Sequence, residues 1–282
     1  MALKSILSRK IGIDLGTTTV RIYVKGEGVV VNEPARGQAM WNLHQLIGKA
    51  QARPRFFRPD VAVSVPSAVD SEVRRAVTEA AIAAGARQVW LIDEPLAAAM
   101  GAGLPISGAR ACAICEMGAA TTDIAVFFRS GTVVERSIPV GGSALDQAIA
   151  EALGVDAARA ETIKIAVGSA VPMEEPLRTE VDGVEVSSND VAAAIAAPLR
   201  VLVEAVRELL DQTPPRLVSD LRESGLVLSG GGAQLRGLDR HLAAEIGLPV
   251  AVADEPATSV VRGTGLALES FEVLKRNTGY LR

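Results

Sequence analysis

The alternation of apolar and polar residues predicts a β-hairpin near the start of the chain. Residues 11–24 read IGIDLGTTTVRIYV, two apolar runs around a turn of one acid, one glycine and three threonines. Period-two alternation on both sides of a short polar turn is typical of a hairpin. The backbone N–H groups and hydroxyls of such a turn can bind a polyphosphate, and Asp14 before it can hold Mg²⁺ through water. An ordinary hairpin with a Gly-Thr-rich turn is the alternative.

A second copy of this pattern lies 102 positions further along, where residues 113–126 read AICEMGAATTDIAV. Asp14 then corresponds to Glu116, and Gly16 corresponds to Gly118. This period is far too long for a solenoid repeat. The chain is therefore predicted to have two related halves, each opening with a phosphate-type hairpin, and the two hairpins could clamp one nucleotide.

The rest of the chain alternates strands with helices, which predicts an α/β fold with parallel strand pairs and antiparallel hairpin edges. A strand at residues 89–92 leads to Glu94 at the start of an Ala-rich helix, where α/β proteins place catalytic groups. A helix after Gly141 is expected to carry Asp146 in its first turn. The strand at residues 226–228 leads into three glycines and a helix N-terminus, a third ligand-facing loop.

Composition is ordinary for a globular protein, with 49% hydrophobic and 22% charged residues among 282. The net charge of −4 gives no general attraction to nucleic acid. No apolar run reaches the roughly 18 residues of a spanning helix and no signal peptide is evident, so a cytoplasmic location is expected. Cys112 and Cys115 lie three apart in a strand-like run and point to opposite faces. We therefore expect two reduced packing cysteines rather than a metal site.

These elements resemble the actin-like ATPase superfamily and, within it, the MreB-type bacterial cell-shape proteins. The runs IDEPLAAAMGAGLPI and SGGGAQLRGL are specific to MreB-like proteins, and the resemblance covers almost the whole chain. It implies an actin-like, ribonuclease H-like duplicated fold, with two domains that hold mixed five-stranded sheets around a nucleotide cleft. Domain I would comprise residues 1–108 and 254–282, and domain II residues 109–253, with a small subdomain at about 168–222.

The resemblance implies ATP and Mg²⁺ as ligands. Asp14 and Asp146 would arrange Mg²⁺ and its waters. Glu94 would position the attacking water, with a helix-capping role as the alternative. The residues implied in the first phosphate loop are Gly16, Thr17, Thr18 and Thr19, and those in the second are Gly118, Ala119, Ala120 and Thr121. Those implied around the ribose and base are Glu161, Lys164, Gly231, Gly232, Ala233 and Gln234.

The chain also departs from the family pattern. Fewer than twenty residues separate Pro34 from Arg53, where MreB proteins carry the subdomain called IB, which helps to make contacts between subunits. In the second loop, Glu116 replaces the usual aspartate, and alanines replace glycines that let the backbone approach phosphate. We therefore expect nucleotide binding to survive more readily than hydrolysis.

Phe56 and Phe57 lie between arginines in a proline-containing loop. In MreB proteins an apolar pair in this loop enters the inner face of the membrane; packing of both rings under the domain is the alternative. The expected function is an ATP-binding, MreB-like cytoskeletal protein of cell-wall morphogenesis, peripheral at the membrane. Its expected partners are itself or MreB-type filaments and the wall-synthesis machinery, with no nucleic acid. A non-polymerising nucleotide-binding adaptor and, less favoured, a metabolic kinase are the alternatives.

Overall fold

The computed structural model describes most of the chain and divides it into two compact units. The described ranges are residues 9–35, 43–51, 58–181 and 183–269. Unit 1 consists of residues 1–109, 128–131 and 258–282; unit 2 consists of residues 110–127 and 132–257. Within the described ranges, no helix is both long enough and apolar enough to cross a membrane.

The strands of unit 1 form one five-stranded sheet. They are β1 (Lys10–Leu15), β2 (Thr19–Val24), β3 (Gly28–Pro34), β4 (Asp60–Val65) and β5 (Gln88–Asp93). Their order is β3-β2-β1-β4-β5. The pairs β1–β2 and β2–β3 are antiparallel, whereas β1–β4 and β4–β5 are parallel.

Unit 2 contains a five-stranded sheet of the same connectivity and a separate two-stranded ribbon. Its strands are β6 (Cys112–Met117), β7 (Thr122–Phe128), β8 (Gly131–Ile138), β9 (Arg178–Val181), β10 (Val184–Ser187), β11 (Leu226–Ser229) and β12 (Val250–Val252). The large sheet has the order β12-β11-β6-β7-β8, and β9 pairs with β10. Strand β6 pairs antiparallel with β7 and parallel with β11, as β1 does with β2 and β4. Two mixed five-stranded sheets were predicted, and this prediction is confirmed.

The helices follow the strands in the α/β order. They are α1 (Leu43–Gln51), α2 (Ser71–Ala83), α3 (Glu94–Gly101), α4 (Gly142–Leu153), α5 (Ala157–Val167), α6 (Ser188–Ala194), α7 (Ala196–Gln212), α8 (Pro215–Ser224), α9 (Leu238–Ile246) and α10 (Ser259–Ala267). Asp70 caps α2 by accepting hydrogen bonds from the N–H groups of Glu72 and Val73. Helix α8 was not predicted, because Pro214-Pro215 reads as a stop; Pro215 instead occupies a first-turn position, where its missing N–H costs nothing.

The first hairpin is held from one side by the core and from the other by α10. Val20, Ile22 and Val24 of β2 are buried in the unit 1 core. On the opposite face, a Cβ on Gly265 of α10 would lie 2.0 Å from the Tyr23 ring, so the helix touches the strand directly. This packing fixes β1 and β2 on both faces and leaves their connecting turn exposed.

The two cysteines lie buried within β6, with no disulfide. Burial raises the pKa of Cys112 to about 11, and burial together with nearby Glu116 and Asp123 raises that of Cys115. For Cys112 this leaves about a hundredfold less thiolate than an exposed thiol would have.

We therefore expect both cysteines of the folded chain to react at least about a hundredfold more slowly with a thiol reagent at pH 8 than in urea, because the thiolate is the nucleophile. Labelling followed by mass spectrometry of the intact protein measures this. Rapid modification of either cysteine in the native protein would contradict the buried assignment.

Candidate functional site

The turn of the first hairpin is tight and its threonines face outward. Gly16 follows β1, and Thr17 and Thr18 are exposed. A Cβ on Gly16 would lie 2.6 Å from the carbonyl oxygen of Thr19, so no side chain fits there. The turn therefore presents backbone and hydroxyl groups at close range, as a phosphate loop requires.

Asp14 is buried at the end of β1, and protein groups surround its carboxylate. Arg21 Nη1 lies 3.3 Å from Asp14 Oδ2, and Ser64 Oγ donates to Oδ1 over 3.4 Å. Burial raises the pKa of Asp14, while Arg21, Ser64 and the Gly16 N–H oppose that rise. Arg21 was not singled out from the sequence. Its signal was the hairpin register, which places residues 14 and 21 directly opposite each other.

Glu94 begins α3 directly after β5, two strands away from β1 in the same sheet. The preceding Asp93 is the residue at the helix cap, although its side chain makes no capping hydrogen bond. Asp93 instead pairs with Arg74 Nη2 at 2.5 Å. Burial raises the pKa of Asp93, and Arg74 opposes that rise.

The second hairpin turn is tied to the N-terminus of α4. Gly142 N–H donates to the Gly118 carbonyl over 2.9 Å, and Ser143 N–H donates to the Ala119 carbonyl over 2.8 Å. A Cβ on Gly141 would lie 2.6 Å from the Ala119 oxygen. The carbonyls of Gly118 and Ala119 are thus engaged by α4, and the Gly118 N–H donates to the Thr121 carbonyl over 2.9 Å. The N–H groups of Ala119 and Ala120 are therefore the candidate donors for a ligand.

Asp146 lies in the second turn of α4, not in its first turn as predicted, because the helix already begins at Gly142. Lys164 Nζ of α5 lies 2.7 Å from Asp146 Oδ1 and donates to the Gly142 carbonyl over 3.1 Å. Burial raises the pKa of Asp146; Lys164 opposes the rise, and Glu161 adds to it. The structure therefore brings Asp146, Lys164 and Glu161 together beside the second loop.

The third glycine loop packs against the second hairpin. A Cβ on Gly230 would lie 2.3 Å from the Met117 carbonyl oxygen, and one on Gly232 would lie 2.4 Å from the Met117 side chain. The segment Gly231–Gln234 is a 3₁₀ helix, and α9 begins only at Leu238. A helix follows the glycines, as predicted, but it begins as this 3₁₀ helix, and Gly237 with positive φ separates it from α9.

The predicted repeat is confirmed down to the strand register. Asp14 pairs with Arg21 in the first hairpin, and Glu116 pairs with Asp123 at the equivalent positions of the second. Oxygens of Glu116 and Asp123 lie within 4.8 Å of each other. The geometry of the hairpins is shared, whereas the charge opposite the acid is reversed.

The two turns are better suited to phosphate groups than Asp14 and Asp146 are to a divalent ion. Two turns present backbone N–H groups, and Lys164 provides positive charge near the second. Asp14 and Asp146, the residues expected to arrange Mg²⁺, each have a basic side chain within 3.3 Å. A metal ion would have to compete with these ion pairs. Phe56 and Phe57, the expected membrane contact, lie outside the described residues.

Solved structures share this architecture. MreB5 of Spiroplasma citri bound to ADP superposes with a TM-score of 0.86 at 26% identity, over 96% of this chain and 99% of that one. The same protein has been solved with AMPPNP at the same TM-score. A MamK double helical filament matches with a TM-score of 0.77 at 17% identity, over 93% of this chain and 99% of that one, which shows the fold alone. A duplicated α/β fold with a phosphate-type hairpin in each half defines the actin-like class.

Sequence comparison is more specific. The profile of the MreB/Mbl protein family matches residues 36–276. The cell shape-determining protein MreB of Escherichia coli K12 is 37% identical, with 96% of each chain covered. The cell shape-determining protein Mbl of Bacillus subtilis 168 is 31% identical, over 96% of this chain and 99% of its own length. This chain belongs to the MreB/Mbl family.

The alignment with the Escherichia coli protein spans 333 positions, more than the 282 residues of this chain, so that protein has segments with no counterpart here. Only α1 is present among the described residues between β3 and β4.

Proposed function

We propose that this chain is an MreB-type cytoskeletal protein that binds ATP and supports cell shape and wall synthesis at the cytoplasmic face of the membrane. The observation that carries the proposal is the pair of hairpins with identical register, each with a glycine at the same position of its turn. The ADP- and AMPPNP-bound structures of MreB5 of Spiroplasma citri support a nucleotide as the ligand. The two compact units are proposed to be the two domains of the actin-like fold.

Within this proposal the described site residues take distinct parts. The turns after β1 and β6 hold the phosphates through Gly16 to Thr19 and Gly118 to Thr121. Glu161 and Lys164 lie by the ribose and adenine, and Gly231, Gly232, Ala233 and Gln234 close over the base. If Mg²⁺ accompanies the phosphates, its waters would face Asp14 and Asp146, against the ion pairs that these carboxylates already make. Glu94 would position the water that attacks the terminal phosphate. Hydrolysis is slow, because positioning is most of phosphoryl-transfer catalysis and the second loop carries alanines.

A second candidate is a nucleotide-binding adaptor that does not polymerise but contacts MreB-type filaments or wall-synthesis proteins. The observation in its favour is the short connection between β3 and β4, together with the relatives' additional segments. Loss of a subunit-contact element would abolish self-assembly before it affected nucleotide binding, since binding depends on the hairpins.

Sedimentation of the purified chain separates the two candidates. We expect polymer to pellet with ATP and not without nucleotide, and to pellet more completely with vesicles of anionic phospholipid. Phe56→Ala/Phe57→Ala should lose the vesicle-dependent part and keep the ATP-dependent part, because only the membrane contact is removed.

Sedimentation of the Phe56→Ala/Phe57→Ala variant with ATP but without vesicles is the control, because it shows whether the variant still assembles. A chain that binds ATP and stays in the supernatant under all conditions would support the adaptor and contradict the filament. Equal vesicle binding by the wild type and the double variant would show that the two phenylalanines do not make the membrane contact.

A further inference from the structure

The residue opposite the acid differs in charge between the two equivalent hairpins. Asp14 faces Arg21 across β1 and β2, whereas Glu116 faces Asp123 across β6 and β7. In each hairpin, this pair is the next one along the strands from the pair that closes the turn. Glu116 lies 102 positions after Asp14, and Asp123 lies 102 positions after Arg21. The first hairpin thus carries a permanent positive charge where the second carries a negative one.

Arg21 is held close to Asp14 and largely removed from solvent. Its side chain is 17% exposed, and Nη1 lies 3.3 Å from Asp14 Oδ2. Among the described residues, its buried Nε has no hydrogen-bond partner. A guanidinium stays protonated at all relevant pH values and offers several N–H donors in one plane, so Arg21 keeps donors beyond the one used on Asp14.

We propose that Arg21 supplies to a bound nucleotide the positive charge that a divalent ion would otherwise supply at the first hairpin, so that nucleotide affinity depends little on Mg²⁺. This inference rests on the proposed nucleotide binding. Arg21 already compensates the charge of Asp14, which leaves that carboxylate little attraction for a cation. A metal ion at this carboxylate would also be repelled by the guanidinium. Phosphate oxygens are, in turn, the preferred acceptors of arginine N–H groups.

The test is the affinity for ADP in excess Mg²⁺ and in excess EDTA, measured by calorimetric titration of the full chain. We expect the wild-type dissociation constants to differ by less than about threefold between the two conditions. In Arg21→Leu we expect ADP affinity in EDTA to fall by about tenfold or more, with most of the loss restored by Mg²⁺. Arg21→Lys keeps the charge and should retain the weak Mg²⁺ dependence.

A matched control is available on the same sheet. Arg87 pairs with the buried Asp60 at the beginning of β4, beside Lys10 and therefore at the opposite end of β1 from Asp14. Arg87→Leu removes a comparable buried pair and should leave the ratio of the two ADP affinities unchanged. Thermal unfolding without nucleotide checks that each variant is folded. If Arg21→Leu does not fold, Arg21→Gln, which is neutral and keeps a hydrogen-bond donor, replaces it.

Three outcomes would overturn the inference. In the first, Mg²⁺ raises the ADP affinity of the wild type by about tenfold or more over its affinity in EDTA, and the affinity of Arg21→Leu by the same factor. Arg21 would then be only a structural partner of Asp14, and the proposed nucleotide binding would stand. A Mg²⁺ dependence that appears equally in Arg87→Leu would assign the effect to destabilisation. Absence of ADP binding by the wild type in both conditions would reject the proposed function, and this inference with it.

Discussion

Gly263→Ala is expected to destabilise unit 1 by about 3 kcal/mol or more, which corresponds to a fall in Tm of roughly 6–12 °C. A Cβ on Gly263 would lie 1.7 Å from the carbonyl oxygen of Ala97, a backbone atom of α3. In the other direction, a Cβ on Gly101 would lie 1.8 Å from the carbonyl oxygen of Ser259. The helices α3 and α10 therefore touch backbone to backbone at both ends of their contact, and no side-chain rotation can relieve the clash. Unfolding in urea or by heat, followed by circular dichroism, measures the loss.

Gly48→Ala is the matched control, since it makes the same chemical change in a helix. Gly48 is exposed in α1, and a Cβ there would meet nothing within 4 Å. Helix propensity then predicts a gain of up to about 1 kcal/mol. If Gly263→Ala proved as stable as Gly48→Ala, the close packing of α3 and α10 would be wrong. The position of α10 against Tyr23 and the first hairpin would then also need revision.

Gly16→Ala is expected to weaken nucleotide binding by about tenfold or more, or roughly 1.4 kcal/mol. The added Cβ would lie 2.6 Å from the Thr19 carbonyl oxygen, so the turn must open. Opening the turn moves the N–H groups that the proposal assigns to the phosphates, and a displaced donor loses its hydrogen bond. The measurement is the dissociation constant for ADP, with the unfolding temperature recorded in parallel.

The second hairpin provides the comparison within one molecule. A Cβ on Gly118 would lie 3.3 Å from the Thr121 carbonyl oxygen, a contact that a shift of a few tenths of an ångström relieves. We therefore expect Gly118→Ala to change ADP affinity by less than about threefold. Equal losses in the two variants would contradict the idea that the first turn is the more tightly constrained. An unchanged ADP affinity in Gly16→Ala would show that the first turn does not bind the nucleotide.

The local features of the fold were predictable from the sequence because they depend on neighbours along the chain. The alternation in residues 11–24 and 113–126 predicted both hairpins, and their shared offset predicted the common register. Asp70, which caps α2, stands directly before an apolar stripe, and this pair of features is a local signal for the start of a helix. The family resemblance implied Glu161 and Lys164 by the ribose and adenine and Asp146 at Mg²⁺, and these roles remain predictions.

Features that depend on distant segments were not predictable in the same way. The α3–α10 contact joins Gly101 to Ser259, and nothing in either local sequence specifies the other. Asp146 was placed in the wrong turn because Gly141-Gly142 reads as a loop, although Gly142 already belongs to α4. The Asp14–Arg21 pair lies between these cases. The register implied it, but an arginine on a strand otherwise reads as an ordinary exposed residue.

The shared register and the reversed charge of the two hairpins suggest how the halves have diverged. The first turn keeps three threonines and an acid neutralised by Arg21, whereas the second has two alanines and two facing acids. We expect this chain to bind nucleotide more readily than it hydrolyses it. This expectation fits a filament with slow turnover as well as an adaptor that does not polymerise.

Titration of the purified wild-type chain with ADP tests the central claim most directly, because every proposed role depends on nucleotide binding. We predict saturable binding of one ADP per chain, at concentrations well below a millimolar, and an increase in the unfolding temperature on saturation. The absence of both binding and thermal stabilisation up to millimolar ADP, in Mg²⁺ and in EDTA, would contradict it.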